Sequence, residues 1–260
     1  MRKNLVLSRA VLKSAAVVAA LVLQCSVMGA PLPLAGISAH WPADGNATDV
    51  VGTNNGTLQN GASFDTGQFS QAFDLTGPSD LVRMAQPLSF TASDSFTVSL
   101  WMNQAVTPAN QGFIVETRNG SSGFAISTLP DNRIVMGGRA DNAFILGGVT
   151  QGPINNGQWY HVAAVFDRVA DELRLYLDGS LQSTQNLAAA TGFTASDKLF
   201  LGAINTQSAS FNFNGHVDEV QIYDRALGGT EVQSLVPEPT SLSMLSLGGL
   251  LLVRRQRSVA

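Results

Sequence analysis

The chain has 260 residues, 45% of them hydrophobic and only 13% charged, with a single cysteine. That composition can bury a substantial core, which excludes a disordered or collagen-like chain, and one cysteine excludes a disulfide framework or a CxxC metal knuckle. The formal charge of −4 hides an uneven distribution: seven of the fifteen basic residues sit at the two ends, and the segment between carries eight Lys/Arg against eighteen of the nineteen acids. A body that acidic repels phosphate backbones, excluding nucleic acid as a partner, and suits a hard cation such as Ca²⁺.

Residues 1–30 read as a secretory signal. Arg2, Lys3, Arg9 and Lys13 lead into the apolar run Ala15–Leu23, and the small residues Ser26, Gly29 and Ala30 follow. The run predicts a signal helix too short for a membrane span, which needs about 20 residues. Cys25 follows Gln24, where a lipoprotein cut would need a small residue, so export without lipidation is expected. Removing the signal leaves no cysteine. Residues 31–36 form a linker.

From 37 to 235 the chain alternates apolar and polar residues in short stretches separated by turn signals. Asn-Gly occurs at 55–56, 60–61, 119–120, 156–157 and 214–215, and Asp-Gly at 44–45 and 178–179; such pairs tolerate the positive φ of tight hairpins. Between them lie the predicted strands Phe96–Met102, Arg133–Met136, His161–Phe166, Leu173–Leu177 and Lys198–Leu201. Phe96, Val98, Leu100 and Met102 share one face, and Leu173, Leu175 and Leu177 another, the period of half-buried antiparallel strands. The glycines at 137–138 and 147–148 follow no phosphate-loop pattern and are expected in turns. The prediction is an all-β, antiparallel β-sandwich of the jelly-roll kind.

The same segment carries a family resemblance. His40-Trp-Pro-Ala-Asp-Gly-Asn46 with Gly56-Thr-Leu-Gln-Asn-Gly61, Ser95–Trp101, Gln158–Asp167, Leu173–Gly179 and Gly215–Leu227 resemble, in order, the blocks of LamG-like jelly rolls of the concanavalin A-like lectin/glucanase fold. That resemblance implies fold more than function, because the fold hosts lectins, glycosidases and adhesive modules. It also implies a structural Ca²⁺ joining the first and last segments, with Asp44 and Asp218 as the matching ligands. Asn46 and Asp49 are either further ligands or turn formers.

Other chemistry finds little support. Retaining glycosidases need carboxyl pairs about 5–5.5 Å apart, and the glucanase pattern Glu-X-Asp-X-X-Glu is not present in Asp218–Asp224. Strict alternation would put Asp218 and Asp224 on one strand face about 20 Å apart. His40, His161 and His216 are isolated along the sequence, and no Gly-X-Ser-X-Gly elbow occurs. His161, beside Trp159 and Tyr160, is expected to be structural. Trp41, Trp101 and Trp159 are expected to pack in the core or at its rim. Phe211 and Phe213 would share a strand face if that segment were extended. No catalytic residue is assigned, and a non-enzyme is expected.

The end of the chain runs Val236-Pro237-Glu238-Pro239, then the apolar stretch Leu242–Val253, then Arg254, Arg255 and Arg257. This resembles the PEP-CTERM sorting tail of exopolysaccharide-producing Gram-negative bacteria, covering 236–260. About a dozen apolar residues are marginal for a span, and arginines on the cytoplasmic side would hold the short hydrophobic helix transiently in the membrane. The resemblance implies processing at Pro237, Glu238 and Pro239 by an exosortase-type enzyme, and display at or release from the cell surface. The combined expectation is an exported carbohydrate-binding module for exopolysaccharide. The alternatives are a structural or adhesive protein that binds proteins or itself and, less in keeping with the residues, a divergent glycosidase.

Overall fold

The computed structural model describes residues 34–91, 93–117, 122–140, 143–187, 198–204 and 209–237. The signal segment 1–30, the first half of the linker, and Glu238, Pro239, Arg254, Arg255 and Arg257 lie outside these residues; Pro237 is the last of them. Two antiparallel sheets face each other across a single main core, as the alternation predicts.

The chain supplies β1 (Ile37–Trp41), β2 (Gly56–Gln59), β3 (Ser63–Thr66), β4 (Gln71–Leu75), β5 (Leu81–Pro87), β6 (Phe96–Gln104), β7 (Gly112–Glu116) and β8 (Gly123–Thr128). It continues with β9 (Ile134–Ala140), β10 (Ala143–Val149), β11 (Trp159–Asp167), β12 (Glu172–Leu177), β13 (Ser180–Asn186), β14 (Lys198–Leu201) and β15 (Gly215–Tyr223). A six-residue helix, α1 (Gly229–Ser234), follows. The first sheet runs β13-β12-β11-β6-β15-β4-β3, with β1 also on β15; the second runs β10-β9-β8-β7-β14-β5-β2.

Turn residues set two of the connections. Asp178 and Gly179 take φ of 47° and 73° between β12 and β13, and Asn60 and Gly61 take 63° and 126° between β2 and β3. The first pair meets the two-positive-φ demand of a two-residue hairpin; the second carries the chain from the second sheet, where β2 pairs with β5, into the first, where β3 pairs with β4. The glycine cluster departs from expectation: Gly137 and Gly138 lie within β9, and Gly147 and Gly148 within β10. A Cβ at Gly148 would run into Ser183 Oγ and approach Leu175, and one at Gly147 would run into the Met136 carbonyl. Bare backbone there lets β10 lie against the edge of the opposite sheet, where it touches β12 and β13.

Trp41, Phe73, Phe96, Leu100, Met102, Phe124 and Phe213 fill the space between the sheets, each essentially without solvent exposure. Phe96 stacks between Phe90 and Phe166, both rings 4.2 Å away. Each large side chain buried this way contributes about 1.5–3 kcal/mol. Phe213 belongs to this core, whereas Phe211 sits in a short 3₁₀ turn and is 38% exposed, so the two rings do not share a strand face.

Across β11, β6 and β15 the outer face of the first sheet is built in four successive rows: Val165-Thr97-Tyr223, Ala163-Ser99-Gln221, His161-Trp101-Asp218 and Trp159-Asn103-His216. Directly paired residues leave a sheet on the same side. The first of these rows lies under a second apolar cluster, in which Leu227, Val232 and Leu235 pack on Ala163, Val165, Tyr176 and Tyr223. Among the described residues no helix is long and apolar enough to cross a membrane.

Candidate functional site

β15 changes partners half-way along its free edge. Gly215–Val217 pair with β4, and Val220–Tyr223 pair with β1. Asp218 and Glu219 occupy the handover, where the register against β6 slips by one residue between Asp218 and Gln221. Glu219 takes φ of 51° to make this bulge. The bulge corrects the expectation for Asp224: after Asp218 the outward residues are Gln221 and Tyr223, so Asp224 falls out of phase and beyond the strand.

Asp218 points away from the core yet is fully buried, because the turn between β3 and β4 folds over it. The Phe69 N–H donates to Asp218 Oδ2 at 2.9 Å, and the Phe69 ring meets Trp101 edge-on at 5.7 Å. Gly67 opens this turn: a Cβ there would lie 2.7 Å from Asp218 Oδ2 and 2.6 Å from the Gln71 carbonyl. Asp44, in the loop after β1, takes the other end of the turn, its Oδ1 accepting from the Gln71 N–H at 3.2 Å. Two carboxylates far apart in sequence therefore grip one turn, and the structure brings together the two residues the sequence paired.

Their electrostatics are unbalanced. Asp218 Oδ1 is buried without a hydrogen-bond partner. Burial, followed by the negative charges of Glu219 and Asp44, pushes the Asp218 carboxyl up to about 8, against the opposing hydrogen bond from Phe69. Glu219 is already engaged, its Oε2 2.6 Å from His40 Nε2. An unpaired buried carboxylate oxygen is one kind of ligand a hard cation takes, among the roughly six to eight oxygens that surround Ca²⁺. Asp49 and Asn46 resolve as turn formers. Asp49 accepts from the backbone N–H groups of His40, Val51, Gly52 and Asn54. Burial would raise its pKa, but these bonds hold it below the usual carboxylate range. Asn46 Oδ1 accepts from the Thr48 N–H.

The aromatic and histidine expectations sort by depth. Trp41 lies in the main core, donating to the Asn54 carbonyl at 2.8 Å. Trp101 lies under Phe69, and Trp159 is half-buried at the end of the outer face. His161 is buried on Ser99 Oγ at 2.8 Å, and burial pushes its imidazole down to about 3. The covering turn 67–70 is what sequence reasoning missed. Its one signal is Gly67, and nothing in the local pattern says that the turn closes over β15.

The family model described as the concanavalin A-like lectin/glucanases superfamily (Laminin_G_3) matches residues 76–233. No curated protein sequence matches the chain. Among solved structures, domain 4 of AbnA, a GH43 extracellular arabinanase from Geobacillus stearothermophilus solved with arabinotriose, is similar with a TM-score of 0.65 and 20% identity, covering 77% of this chain and 98% of that one. The binding domain of Paraclostridial Mosquitocidal Protein 1 gives 0.60 at 17% identity over 73% of this chain. The receptor-binding domain of botulinum neurotoxin D gives 0.60 at 13% identity over 76% of it. The chain spans about half the length of those two toxin domains, 48% and 51%. Residues 37–75, ahead of the matched segment, supply β1–β4 to the same two sheets. The matched model covers more than half of the chain and the two facing sheets agree with it, and the chain belongs to the concanavalin A-like lectin/glucanase superfamily.

Proposed function

We propose that this chain is an exported, non-catalytic module that binds extracellular polysaccharide, with Ca²⁺ held by Asp44 and Asp218. The observation that carries the binding role is the likeness of fold to an arabinanase domain solved with arabinotriose, over nearly the whole of that domain. Bound Ca²⁺ would supply the positive charge that Asp218 Oδ1 lacks and would keep the carboxylate ionised at neutral pH. The ion would then fix the 67–70 turn over the sheet by electrostatics, a structural role. A glycosidase reading fares worse: a general acid must keep its proton near pH 7, and Asp218, whose carboxyl is raised to about 8, is sealed from solvent.

The tail completes the proposal. Pro237, Glu238 and Pro239, with Arg254, Arg255 and Arg257 behind the apolar stretch, make the chain an exosortase substrate retained at or released from the surface of a Gram-negative cell. The test is affinity electrophoresis of residues 31–235 through exopolysaccharide from the producing cells, with Ca²⁺ and with EDTA. Retardation that EDTA removes is the expected result. Migration unaffected by polysaccharide in either buffer would replace this reading with a structural or protein-adhesive one.

A further inference from the structure

The last row of the outer face carries a second constellation, separate from Asp44 and Asp218. His216 on β15 pairs with Asp74 on β4, and Asp74 pairs with Ser63 on β3. Asp65 lies two residues further along β3 and so leaves the sheet on the same side. His216 Nε2 stands 3.8 Å from Asp74 Oδ1 and 3.9 Å from Asp65 Oδ2, and one ligand atom from each residue falls within 4.8 Å of the others. Those separations are too long for hydrogen bonds. The two imidazole–carboxylate distances lie about half an ångström outside the roughly 3.4 Å edge of a tetrahedron whose donors sit about 2.0–2.2 Å from a metal.

Both carboxylates are already oriented. Thr66 N–H donates to Asp65 Oδ1 at 2.7 Å, Thr76 donates to Asp74 Oδ1 through its N–H and its hydroxyl, and Ser63 Oγ donates to Asp74 Oδ2. Outer hydrogen bonds of this kind fix ligating carboxylates in metal sites. The imidazole decides the ion: an all-oxygen set suits Ca²⁺, whereas one imidazole with carboxylates suits Zn²⁺ and Cu²⁺. We propose that Asp65, Asp74 and His216 bind a divalent transition metal of the Zn²⁺ class on the open face of the first sheet, leaving at least one coordination position to solvent or to an oxygen ligand.

The molecule carries its own reporter, since the Trp159 ring centroid is 6.3 Å from that of His216. His40 and His161 are buried and offer little competition. Full-length untagged protein carrying Cys25→Ser, which removes the thiol as a competing ligand, is saturated with Ca²⁺ and titrated with Cu²⁺ while tryptophan fluorescence is followed, then with Zn²⁺ as competitor and by calorimetry. Stoichiometric, saturable quenching that Zn²⁺ reverses is expected. His216→Asn and Asp65→Asn should each weaken Zn²⁺ binding by more than about tenfold, and Trp159→Phe should remove most of the optical signal while leaving the calorimetric affinity within about twofold. Asp65 is exposed, so its variant keeps the fold even if His216→Asn does not. Absence of saturable binding, or Zn²⁺ affinity unchanged in Asp65→Asn, overturns the proposal.

Discussion

The two ends of the first sheet's outer face follow the same pleat and meet opposite fates. At one end Val165, Thr97 and Tyr223 are sealed beneath Leu227, Val232 and Leu235. Thr97 Oγ1 there bridges the Arg225 carbonyl and the Leu227 N–H, stitching the chain after β15 back onto β6. At the other end Trp159, Asn103 and His216 stay half-exposed. Between the two, Asp218 is buried by a single turn. A face that is apolar, then charged but covered, then polar and open shows how one strand, β15, can serve stability at its end and ligand chemistry at its start.

The sharpest way to break this contrast is to remove a side chain from each end. Leu227→Ala should lower the unfolding free energy by about 2–5 kcal/mol, as for other buried leucines, whereas His216→Ala should stay within about 0.5 kcal/mol without added transition metal. Urea denaturation measures both, and equal losses would erase the distinction. The middle row comes next. At a hundredfold excess over Kd, Ca²⁺ should stabilise the protein by about 2.7 kcal/mol, raising Tm by several degrees. Asp218→Asn should abolish that rise yet leave the protein about as stable in EDTA at neutral pH, because the ion-free carboxyl already holds its proton there and the amide is likewise uncharged. Asp44→Ala should lower Tm only when Ca²⁺ is present; an equal loss in EDTA would assign it to capping the turn.

A smaller effect is a pair of opposed pH limbs. Asp218 is raised from 3.8 to about 8, so the ion-free fold binds more protons than the unfolded chain; its stability is full below about pH 4 and falls as pH rises through 8. The Ca²⁺-induced rise in Tm should therefore be greater at pH 8.5 than at pH 5.5. His161 is lowered from 6.5 to about 3, so its contribution is present above 6.5 and is lost as pH falls toward 3. His161→Gln should flatten that acid limb in pH-dependent melts. Smallest of all is Glu231→Gln. Glu231 pairs bidentately with Arg225 at 2.9 and 2.7 Å and accepts from the Gly228 N–H. Arg225, then the Gly228 bond, hold its carboxyl down to about 2, but partial exposure of both partners limits the loss to about 1 kcal/mol or less in thermal denaturation.

Periodicity and turn residues made the sandwich legible, because Phe96–Met102 and Leu173–Leu177 repeat every second residue and Asp178-Gly179 can be little other than a tight hairpin. The Asp44/Asp218 pairing was legible through the resemblance of the first and last blocks, with no spacing rule behind it. The burial of Asp218 was not, since it depends on a turn 149 residues away in sequence reaching over it. Nor was the bulge: Glu219 adopts a conformation that composition assigns to glycine or asparagine. The Asp65, Asp74 and His216 group was invisible for a related reason: only the sheet brings His216 on β15 beside the β3–β4 hairpin that carries the two carboxylates.

The chain starts and leaves this domain side by side. Gly36 accepts from the Asp224 N–H, the Ala35 carbonyl accepts from Arg225, and Leu34 packs on the cluster containing Leu235. Ile37, at the start of β1, faces Tyr223, at the end of β15. Tension applied across those neighbouring ends would first pull α1 and its apolar contacts from the sheet, and only then open the β1–β15 ladder one rung at a time, like a zip. Traction between the two ends of the domain thus meets an apolar clasp before it reaches the sheet.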